Sequence, residues 1–585
     1  MKSSGKFEIR DSFYLNETEF KIISGGMHYF RIVPEYWRDR LEKLKAMGCN
    51  TVETYVPWNL HEPKKGKFNF SGILDLERFI KIADELGLFV IVRPSPYICA
   101  EWEFGGLPAW LIADDSMKLR CNYKPYIDHI KDYYEELFKI LTPLQINNGG
   151  PIILMQIENE YGYFGDDKSY LNKLSQIMRE NGAVVPFVTS DGPWGDALEA
   201  GNAGKNVLPT ANFGSKSESQ LETLSKYTNG GPLMCMEFWV GWFDSWGRKD
   251  HGKSNLEENI SDLEKILKLG HVNIYMFHGG TNFGFMNGSN YYDELTPTIT
   301  SYDYDAVLTE SGDITHKYNE FKKVISKYNK VEDIEFSTEI RKCDYGKIGV
   351  TNKVSLFNVL KDISIPQFNT NTLSMEMLGQ NYGYVLYKSK ISNVENIEKF
   401  RLLGANDRAN IFINEEHVIT RYDKELVEEC SFRANNKEEN TIEILVENMG
   451  RVNFGPKLNH QRKGIDDGVI VNGHYHFGWE HYSLPLDNLD KIDFSKEYVC
   501  GTPAFYKFEF EINEIGDTFL DFTGWGKGCA FINGFNIGRY WERGPQKALY
   551  IPGPLLNRGK NELILFETEG ISCDSITLNK EPNLG

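Results

Sequence analysis

The segment PIILMQIENEYG, residues 151–162, is an apolar run that passes directly into two glutamates, Glu158 and Glu160. Buried strands rarely end in carboxylates without a reason, because an unpaired charge in a protein interior is costly. The segment therefore predicts a strand that carries chemistry at its carboxyl end.

Seven further segments before residue 330 have the same short, apolar, β-branched character. The eight strand candidates are KIISGGMHYF, CNTVETYVPW, LFVIVRPSPYI, IILMQIENEYG, PFVTSDG, LPTANFG, LMCMEFWVGW and VNIYMFHGGTNFG. Helical patterns lie between most of them, and several end at a glycine in the position after the C-cap: Gly48, Gly87, Gly182 or Gly270. This alternation predicts an α/β fold, a (β/α)8 TIM barrel. The main alternative is a doubly wound sheet, but SGGMHYF lacks the spacing of its phosphate-binding turn.

The remaining part of the chain has a different texture. Long helical patterns give way to strand-like runs separated by turn signals such as NG and NRGKN. This tail is too long for one β-sandwich, so two are predicted. The predicted domains are a barrel at 1–330, a first sandwich with its linker at 331–495, and a second sandwich at 496–585. Whether strands cross that last boundary is left open.

The composition argues against a nucleic-acid ligand. Lys plus Arg number 64 and Asp plus Glu number 83, for a net charge of −19, which favours a small or neutral partner. The N-terminal segment MKSSGKFEIRD has no apolar secretion core, and the apolar stretch LGLFVIV is too short to span a bilayer. Nine cysteines without a CxxC pair indicate reduced thiols. We expect a soluble, cytoplasmic protein that binds neither nucleic acid nor membrane.

The ends of the predicted strands carry carboxylates, amides and many aromatic rings, and they have no phosphate loop. The side chains include Tyr55, Trp58, Asn59, His61, Glu62, Tyr97, Glu101, Trp102, Glu103, Glu158, Asn159, Glu160, Tyr161, Asp191, Trp194, Glu237, Trp239, Trp242, Trp246, His278, Asn282 and Phe283. In a barrel the active site lies at these ends. Aromatic faces pack against the C–H face of a pyranose, and Asn and Glu bind its hydroxyls. The sequence therefore predicts a sugar site.

Glu158 and Glu160 do not make a catalytic pair by themselves. At positions i and i+2 of one strand their side chains point the same way, whereas a glycosidase needs carboxylates that flank the scissile bond. Glu237 in MCMEFWVGW also ends an apolar strand and is the best partner. Glu158 is expected about 6.6 Å deeper than Glu160 at a rise of ~3.3 Å per residue. We interpret Glu160 as the reacting group and Glu158 as its support.

Other polar and aromatic residues receive structural interpretations. Glu62 and Glu103 are interpreted as solvated or salt-bridged loop residues, and Trp37 and Trp110 as core. The pattern HYH at 474–476 is a weak metal signal without further partners. The sequence therefore predicts no metal and no cofactor.

Long motifs occur in order along nearly the whole chain. They are HYFRIVPEYWRDRLEKLKAMGCNTVETYVPWNLHEP, RPSPYICAEWEFGGLPAWL, QIENEYG, MFHGGTNFGFMNG, TSYDYDA, LGQNYGYVLY, ENMGRVNFG, RKGI and GKGCAFINGFNIGRYW. Together they resemble glycoside hydrolase family 35, the β-galactosidases, and its smaller bacterial members most. The resemblance implies a barrel followed by galactose-binding-like jelly-roll sandwiches.

The resemblance also implies roles for single residues. The family's acid/base, the glutamate after asparagine, corresponds to Glu160, and its nucleophile corresponds to Glu237. The implied galactose contacts are Tyr55, Cys99, Ala100, Glu101, Asn159 and Tyr304, with Tyr302 matched less closely. Trp239 and Phe454 depart from the family, since both replace a tyrosine found in relatives. We expect Trp239, Trp242 and Trp246 to form a platform for the second sugar, with rim core as the alternative for each.

Residues and resemblance together predict an exo-acting, retaining β-galactosidase. Its substrate is a terminal, non-reducing β-D-galactose of an oligosaccharide or glycoconjugate. A preference for β-1,3 linkages and a homodimeric assembly are left open. Two alternatives stand: a retaining β-glycosidase for another sugar, which shares the chemistry, and a non-catalytic carbohydrate-binding protein, against which the presence of both glutamates argues.

Overall fold

The computed structural model describes residues 5–332, 334–337, 339–392, 396–433 and 439–585. The first part is a closed barrel of eight parallel strands, which confirms the predicted fold class. In chain order the strands are β1 Ile23–Met27, β2 Thr51–Tyr55, β3 Phe89–Arg93, β4 Ile152–Gln156, β5 Phe187–Asp191, β6 Val207–Phe213, β7 Met234–Trp239 and β8 His271–His278. Each strand pairs with its sequence neighbours, and β8 closes the barrel on β1.

A helix follows each barrel strand. The helices are Trp37–Ala46, Leu76–Glu85, Lys124–Leu141, Lys168–Glu180, Ala197–Gly201, Ser217–Ser225, Leu256–Leu269 and His316–Ile325, with a short extra helix at Trp58–His61. Four of them begin at a side-chain cap, Asp75, Asp167, Asn255 or Thr315, whose oxygen accepts a backbone N–H of the first turn. Among the helices of the described residues, none combines the length and the apolar character that a membrane-spanning helix needs.

Three of the four predicted helix-ending glycines have left-handed backbone. Gly48, Gly87 and Gly182 have φ of 102°, 76° and 99°, as a residue after a C-cap requires. Gly270 differs, because it is itself the C-cap and its φ is −169°. A Cβ on Gly270 would lie 2.2 Å from the carbonyl oxygen of Leu233. Close approach of two backbones therefore requires the glycine there.

Two antiparallel sheets form the first β-sandwich of the tail. One sheet contains Gln367–Asn369, Tyr384–Ser392, Arg408–Ile413, Glu416–Tyr422, Glu439–Glu447 and Trp479–Leu484, and the other contains Asn396–Asn406, Cys430–Arg433, Gly464–Val471 and His474–Tyr475. Val385, Phe400, Ile411 and Ile444 belong to the apolar core of this domain. The inward face of each strand thus supplies the core, as in sandwiches generally.

The second sandwich includes strands from the start of the tail. Its sheets contain Gly346–Gly349, Thr518–Asp521, Ala548–Ile551 and Ser575–Asn579, and Asn352–Ser355, Ala504–Ile512, Lys527–Ile532, Phe535–Trp541 and Gly559–Glu567. The sequence-based boundaries placed 346–355 with the first sandwich. In the structure, Gly346–Gly349 pairs with Ser575–Asn579, and Asn352–Ser355 pairs with Ala504–Ile512. The chain therefore contributes to the second sandwich before it builds the first, joined to it by helix Leu356–Ile363.

A small sheet joins the barrel to the tail. Ser289–Tyr291, in the loop after β8, pairs with Leu295–Pro297 and also with Val452–Phe454 of the tail. A separate small sheet of Phe7–Ile9, Phe13–Leu15 and Thr18–Glu19 precedes the barrel. The shared sheet brings a strand of the tail to the mouth of the barrel.

A buried arginine reinforces this junction. Arg451 pairs with Glu103 of the barrel and with Glu376 of the tail, and all three side chains are almost inaccessible to solvent. Its Nη1 also donates to the carbonyl oxygen of Asn381 over 2.6 Å. The interpretation of Glu103 as a salt-bridged residue is confirmed.

We expect Arg451→Met to lower the free energy of unfolding by about 3–5 kcal/mol, because it leaves two buried carboxylates without their cation. The matched control is Lys390→Met, which breaks an exposed pair with Glu439 and is expected to cost under about 1 kcal/mol. Denaturant unfolding followed by circular dichroism measures both. Equal midpoints for the two variants would contradict a structural role for the Arg451 cluster.

Candidate active site

A cavity of 270 Å³ opens at the carboxyl ends of the barrel strands. Eleven residues predicted for the site line it: Tyr55, Cys99, Ala100, Glu101, Asn159, Glu160, Trp194, Glu237, Trp239, Trp242 and Tyr304. The wall also contains Tyr163, Phe243, Tyr275, Asn290, Tyr292 and Phe454. The structure therefore brings the predicted residues together around one small space.

Glu237 on β7 is held by three donors. Tyr55 Oη and Arg93 Nη2 each lie 2.6 Å from its Oε1, and Trp239 Nε1 lies 3.0 Å from its Oε2. Such contacts fix the carboxylate in one orientation, and the guanidinium balances its charge. Arg93 Nη2 also donates to Asn159 Oδ1 over 2.7 Å, and Tyr55 Oη lies 2.9 Å from the same oxygen. Glu237 and Asn159 therefore share one hydrogen-bond network.

Glu160 lies in a contrasting environment. One amide, Asn212 Nδ2, donates to its Oε1 over 3.1 Å. Burial and the neighbouring charge of Glu237 raise the pKa of Glu160 to about 8. At neutral pH Glu160 therefore holds a proton, next to a carboxylate surrounded by donors.

Glu158 points away from the cavity. Strand β4 ends at Gln156, and Glu158 and Glu160 have φ of 53° and 46°. The prediction that the two side chains point the same way is wrong, because left-handed backbone breaks the alternation of a strand. Glu158 instead accepts from Arg120 Nε and Nη2 over 3.0 and 2.9 Å and from Tyr170 Oη over 3.0 Å. It supports the loop that carries Glu160.

Three consecutive residues of the wall have strained backbone. Cys99, Ala100 and Glu101 have φ of 56°, 57° and 49°, a conformation that is costly outside glycine. Arg31 Nη2 donates to the carbonyl oxygen of Ala100 over 2.5 Å, and Tyr302 Oη donates to Glu101 Oε2. Burial raises the pKa of Glu101 to about 7. Tyr302 thus acts on the site through Glu101 and does not line the cavity.

Aromatic rings form one side of the cavity mouth. The ring of Trp239 lies 5.5 Å from that of Trp242 and 6.0 Å from that of Trp194, centroid to centroid. Tyr163 contacts Phe454 at 6.2 Å. Phe454 comes from the tail strand that pairs with the barrel loop, so the wall combines both parts of the chain.

Trp246 lies outside this wall, contrary to the prediction. It is buried in an apolar cluster with Leu295, Ile299, Met449, Val452 and Trp541. Its backbone N–H donates to the carbonyl oxygen of Pro297 over 2.9 Å. Trp246 therefore packs in the core at the junction of barrel and tail and is not part of the cavity wall.

Sequence reasoning did not find Arg93 and Asn212. Arg93 is the last residue of β3 and Asn212 the last but one of β6, and a polar side chain near the end of a strand is the signal that identifies Glu237. Arg93 and Asn212 lie within the predicted strand segments LFVIVRPSPYI and LPTANFG, where an inward-facing polar side chain is the signal that could identify them.

Several further interpretations are settled by burial. Glu62 is not solvated and has no ion pair with any residue that the structure describes: it is buried and accepts from Trp58 Nε1 and the Gly66 N–H, each over 2.7 Å. Trp37 is fully buried core, and Trp110 is partly buried and packs on the barrel core.

Metal-binding clusters are absent from the described part of the chain, where no three His, Cys, Asp or Glu side chains are arranged to hold an ion. His476 of the HYH pattern shares a hydrogen bond of 2.8 Å with Ser389 Oγ. All nine cysteines are unpaired thiols.

Comparison with known proteins places this site in a family. The family model described as glycosyl hydrolases family 35 matches residues 12–328, which span the barrel. The chain belongs to this family. The protein is therefore a glycoside hydrolase, and the resemblance read from its motifs is confirmed. Two more models match the tail: the first all-beta domain of beta-galactosidase at 372–485, and the galactose-binding domain of beta-galactosidase at 503–561.

Relatives of this family-35 enzyme match it over nearly its whole length. Human beta-galactosidase-1-like protein 2 is 40% identical and covers 98% of this chain and 91% of its own. Beta-galactosidase 1 of Dictyostelium discoideum is 40% identical, over 94% of this chain and 89% of its own. A beta-galactosidase of Xanthomonas manihotis is 37% identical, over 91% and 89%. Barrel and tail are thus shared as one unit.

The two tryptophans after the end of β7 should respond differently to substitution. We expect Trp246→Ala to lower the free energy of unfolding by about 3–5 kcal/mol, because it empties a buried cluster. Trp242 is 48% exposed, and its replacement by Ala should cost about 1 kcal/mol or less. Chemical denaturation measures both variants. A Trp246→Ala protein as stable as the wild type would contradict its placement in core.

Proposed function

We propose that this protein is an exo-acting, retaining β-galactosidase. The observation that carries the proposal is the pair Glu160 and Glu237, delivered to one cavity by β4 and β7 and placed in opposite electrostatic environments. Pairs of carboxyl groups whose environments separate their protonation states are the signature of acid and base assignments. The names of the relatives support galactose as the sugar.

Glu237 is proposed as the nucleophile. Its Oε1 is engaged by Tyr55 and Arg93, and among the residues that the structure describes only Trp239 donates to its Oε2. Attack of a carboxylate oxygen on the anomeric carbon forms the Glu237–galactosyl ester as the glycosidic C–O bond breaks. The same donors hold the carboxylate still, so little reorganisation accompanies attack.

Glu160 is proposed as the acid and then the base. It gives its proton to the glycosidic oxygen as that oxygen leaves. Once Glu237 is esterified, its negative charge is gone, and this removes one of the causes that raise the pKa of Glu160. Glu160 then accepts a proton from the water that attacks the anomeric carbon, which releases galactose and restores Glu237.

The size of the cavity supports removal of a single terminal sugar. Its 270 Å³ is less than the ~300–1,000 Å³ typical of pockets for larger ligands. Tyr55, Asn159, Glu101 and Tyr304 present polar groups to this space, and the aromatic mouth is proposed to contact the second sugar. We propose that contacts at this mouth would determine any preference for β-1,3 linkages. The proposed substrates are galactose-terminated oligosaccharides, and the proposed location is the cytoplasm.

A 2-deoxy-2-fluoro galactoside with a good leaving group tests the mechanism. The fluorine destabilises the oxocarbenium-like transition states, and the leaving group lets formation of the ester outrun its hydrolysis. We expect mass spectrometry of the digested protein to place the added mass on Glu237.

Two variants make this experiment specific. Glu237→Gln should form no adduct. Glu160→Ala should still form it, because an activated leaving group needs little proton transfer, and should turn it over slowly. An adduct on Glu158 or Glu160, or a product of inverted anomeric configuration, would overturn the assigned roles.

The pH profile provides a second prediction. The acid must be protonated, so kcat/KM for a poor leaving group is expected to fall as the pH rises through about 8, the value to which burial and Glu237 raise the pKa of Glu160. Asn212 favours the ionised form of Glu160, and Asn212→Leu should therefore move this limb to higher pH. Initial rates from pH 5 to 10 measure both. A limb that moves to lower pH in the variant would contradict this assignment.

A further inference from the structure

Outside the cavity, a histidine lies between two carboxylates. His251, in the loop between β7 and helix Leu256–Leu269, has its Nδ1 2.5 Å from Asp244 Oδ2 and its Nε2 3.3 Å from Asp303 Oδ1. The Nδ1 contact is a hydrogen bond and the Nε2 contact is a longer charge contact, and both favour a ring that carries a proton on each nitrogen. The ring is therefore an imidazolium cation that bridges two loops.

The two aspartates adjoin residues of the cavity wall. Asp244 follows Trp242 and Phe243 in the loop after β7, and Asp303 precedes Tyr304 in the loop after β8. The backbone N–H of Trp242 donates to the carbonyl oxygen of Tyr304 over 3.0 Å. The two loops therefore contact each other beside the cavity, and His251 makes a second connection between them through Asp244 and Asp303.

Asp244 and Asp303 also have polar contacts within their own loops. Asp244 Oδ1 accepts from Arg248 Nη1 over 2.7 Å and from the Gly252 N–H over 3.1 Å, both within its own loop. Asp303 Oδ2 accepts from the N–H of Glu310 over 3.0 Å. Burial raises the pKa of Glu310 to about 8. Arg248 balances the charge of Asp244, so loss of the imidazolium would chiefly leave Asp303 without the cation beside its Oδ1 and would remove the connection between the loops.

Asp305, on the same loop as Asp303, has an ion pair of its own. Asp305 is paired with Lys317 of helix His316–Ile325 over 2.8 Å, and Ser254 Oγ donates to the same oxygen over 2.7 Å. Lys317 also donates to the carbonyl oxygen of Val240 over 2.7 Å. These contacts hold the bases of the loops, so His251 acts on the part nearest the wall.

We propose that His251 is a positioning residue for sugar binding, whose imidazolium bridges Asp244 and Asp303 and so holds Trp242, Phe243 and Tyr304 as one wall of the cavity. The inference rests on the proposed function, in which this cavity holds the galactosyl ring. Glu237 and Glu160 are held by other residues, Tyr55, Arg93, Trp239 and Asn212. Loss of the bridge should therefore raise KM and leave kcat little changed.

The positive charge of His251, on which the bridge depends, is present over a defined pH range. Hydrogen bonds to Asp244 and Asp303 raise the pKa of His251 to about 10. Because the folded-state pKa lies above the ordinary value for histidine, the cation is fully present at neutral pH and is lost as the pH rises through about 10. This transition is separate from that of Glu160.

Steady-state kinetics on an aryl β-galactoside test the role of His251. We expect His251→Phe to raise KM between about 10- and 100-fold, as displaced positioning groups do, with kcat within about threefold of the wild type. His251→Lys keeps one cation with several donors and should recover most of the loss. The matched control is His417→Phe. Within the described part of the chain the side chain of His417, in the first sandwich, has one hydrogen bond, to Thr420, and the KM of this variant should equal that of the wild type.

Galactose binding measured against pH keeps the inference testable if His251→Phe does not fold. In Glu160→Gln protein, which lacks the titration of Glu160, calorimetry should show constant affinity from pH 8.5 to 9, above the pKa of Glu101 at about 7, and a loss as the pH approaches about 10, following His251. Constant affinity to pH 10.5, an unchanged KM in folded His251→Phe protein, or no recovery with lysine would overturn the inference. A wild-type protein that cleaves no aryl galactoside would overturn the proposed function instead.

Discussion

The buried guanidinium of Arg93 is the contact on which barrel and site both depend. Its Nε donates to Gln156 over 2.7 Å, its Nη2 to Asn159 and Glu237, and its Nη1 lies 3.5 Å from Glu53. A charge removed from water is tolerated only when its donors find partners in good geometry. These acceptors belong to β2, β4 and β7 and the turn after β4, so the guanidinium is satisfied only in a closed barrel of this register.

The tail completes the site as well as packing beside it. Phe454 enters the cavity wall from a tail strand, and the neighbouring Asn453 Nδ2 lies 3.6 Å from Cys99 Sγ and 3.2 Å from Asn290 Oδ1. Arg451, two residues earlier, is held by Glu103 of the barrel. One short segment thus anchors the sandwich and supplies part of the mouth. The matching of relatives across the whole chain agrees with this physical dependence.

The sequence predicts those features of the fold and the site that depend on local patterns, and it misses those that depend on contacts between distant residues. The eight barrel strands and their helices follow from local apolar periodicity, and Glu160 and Glu237 follow from their position at strand ends. Strand Gly346–Gly349 was misplaced, because no local pattern states that its partner lies more than 200 residues later. Trp246 was misplaced for the same reason, since its neighbours include residues of the tail. The directions of Glu158 and Glu160 depended on φ values that a strand pattern does not contain.

Left-handed backbone concentrates around the cavity. Cys99, Ala100, Glu101, Glu160 and Tyr304 all have φ between 46° and 65°, and such conformations cost about 1–3 kcal/mol each where they are disfavoured. A closed barrel offsets this cost, because its strands fix both ends of every loop and leave the turns between few alternatives. In this turn Glu160 lies near the charge of Glu237, whereas Glu158 accepts from the Arg120 guanidinium. The backbone therefore produces the different environments of Glu158 and Glu160, and the barrel stabilises that backbone.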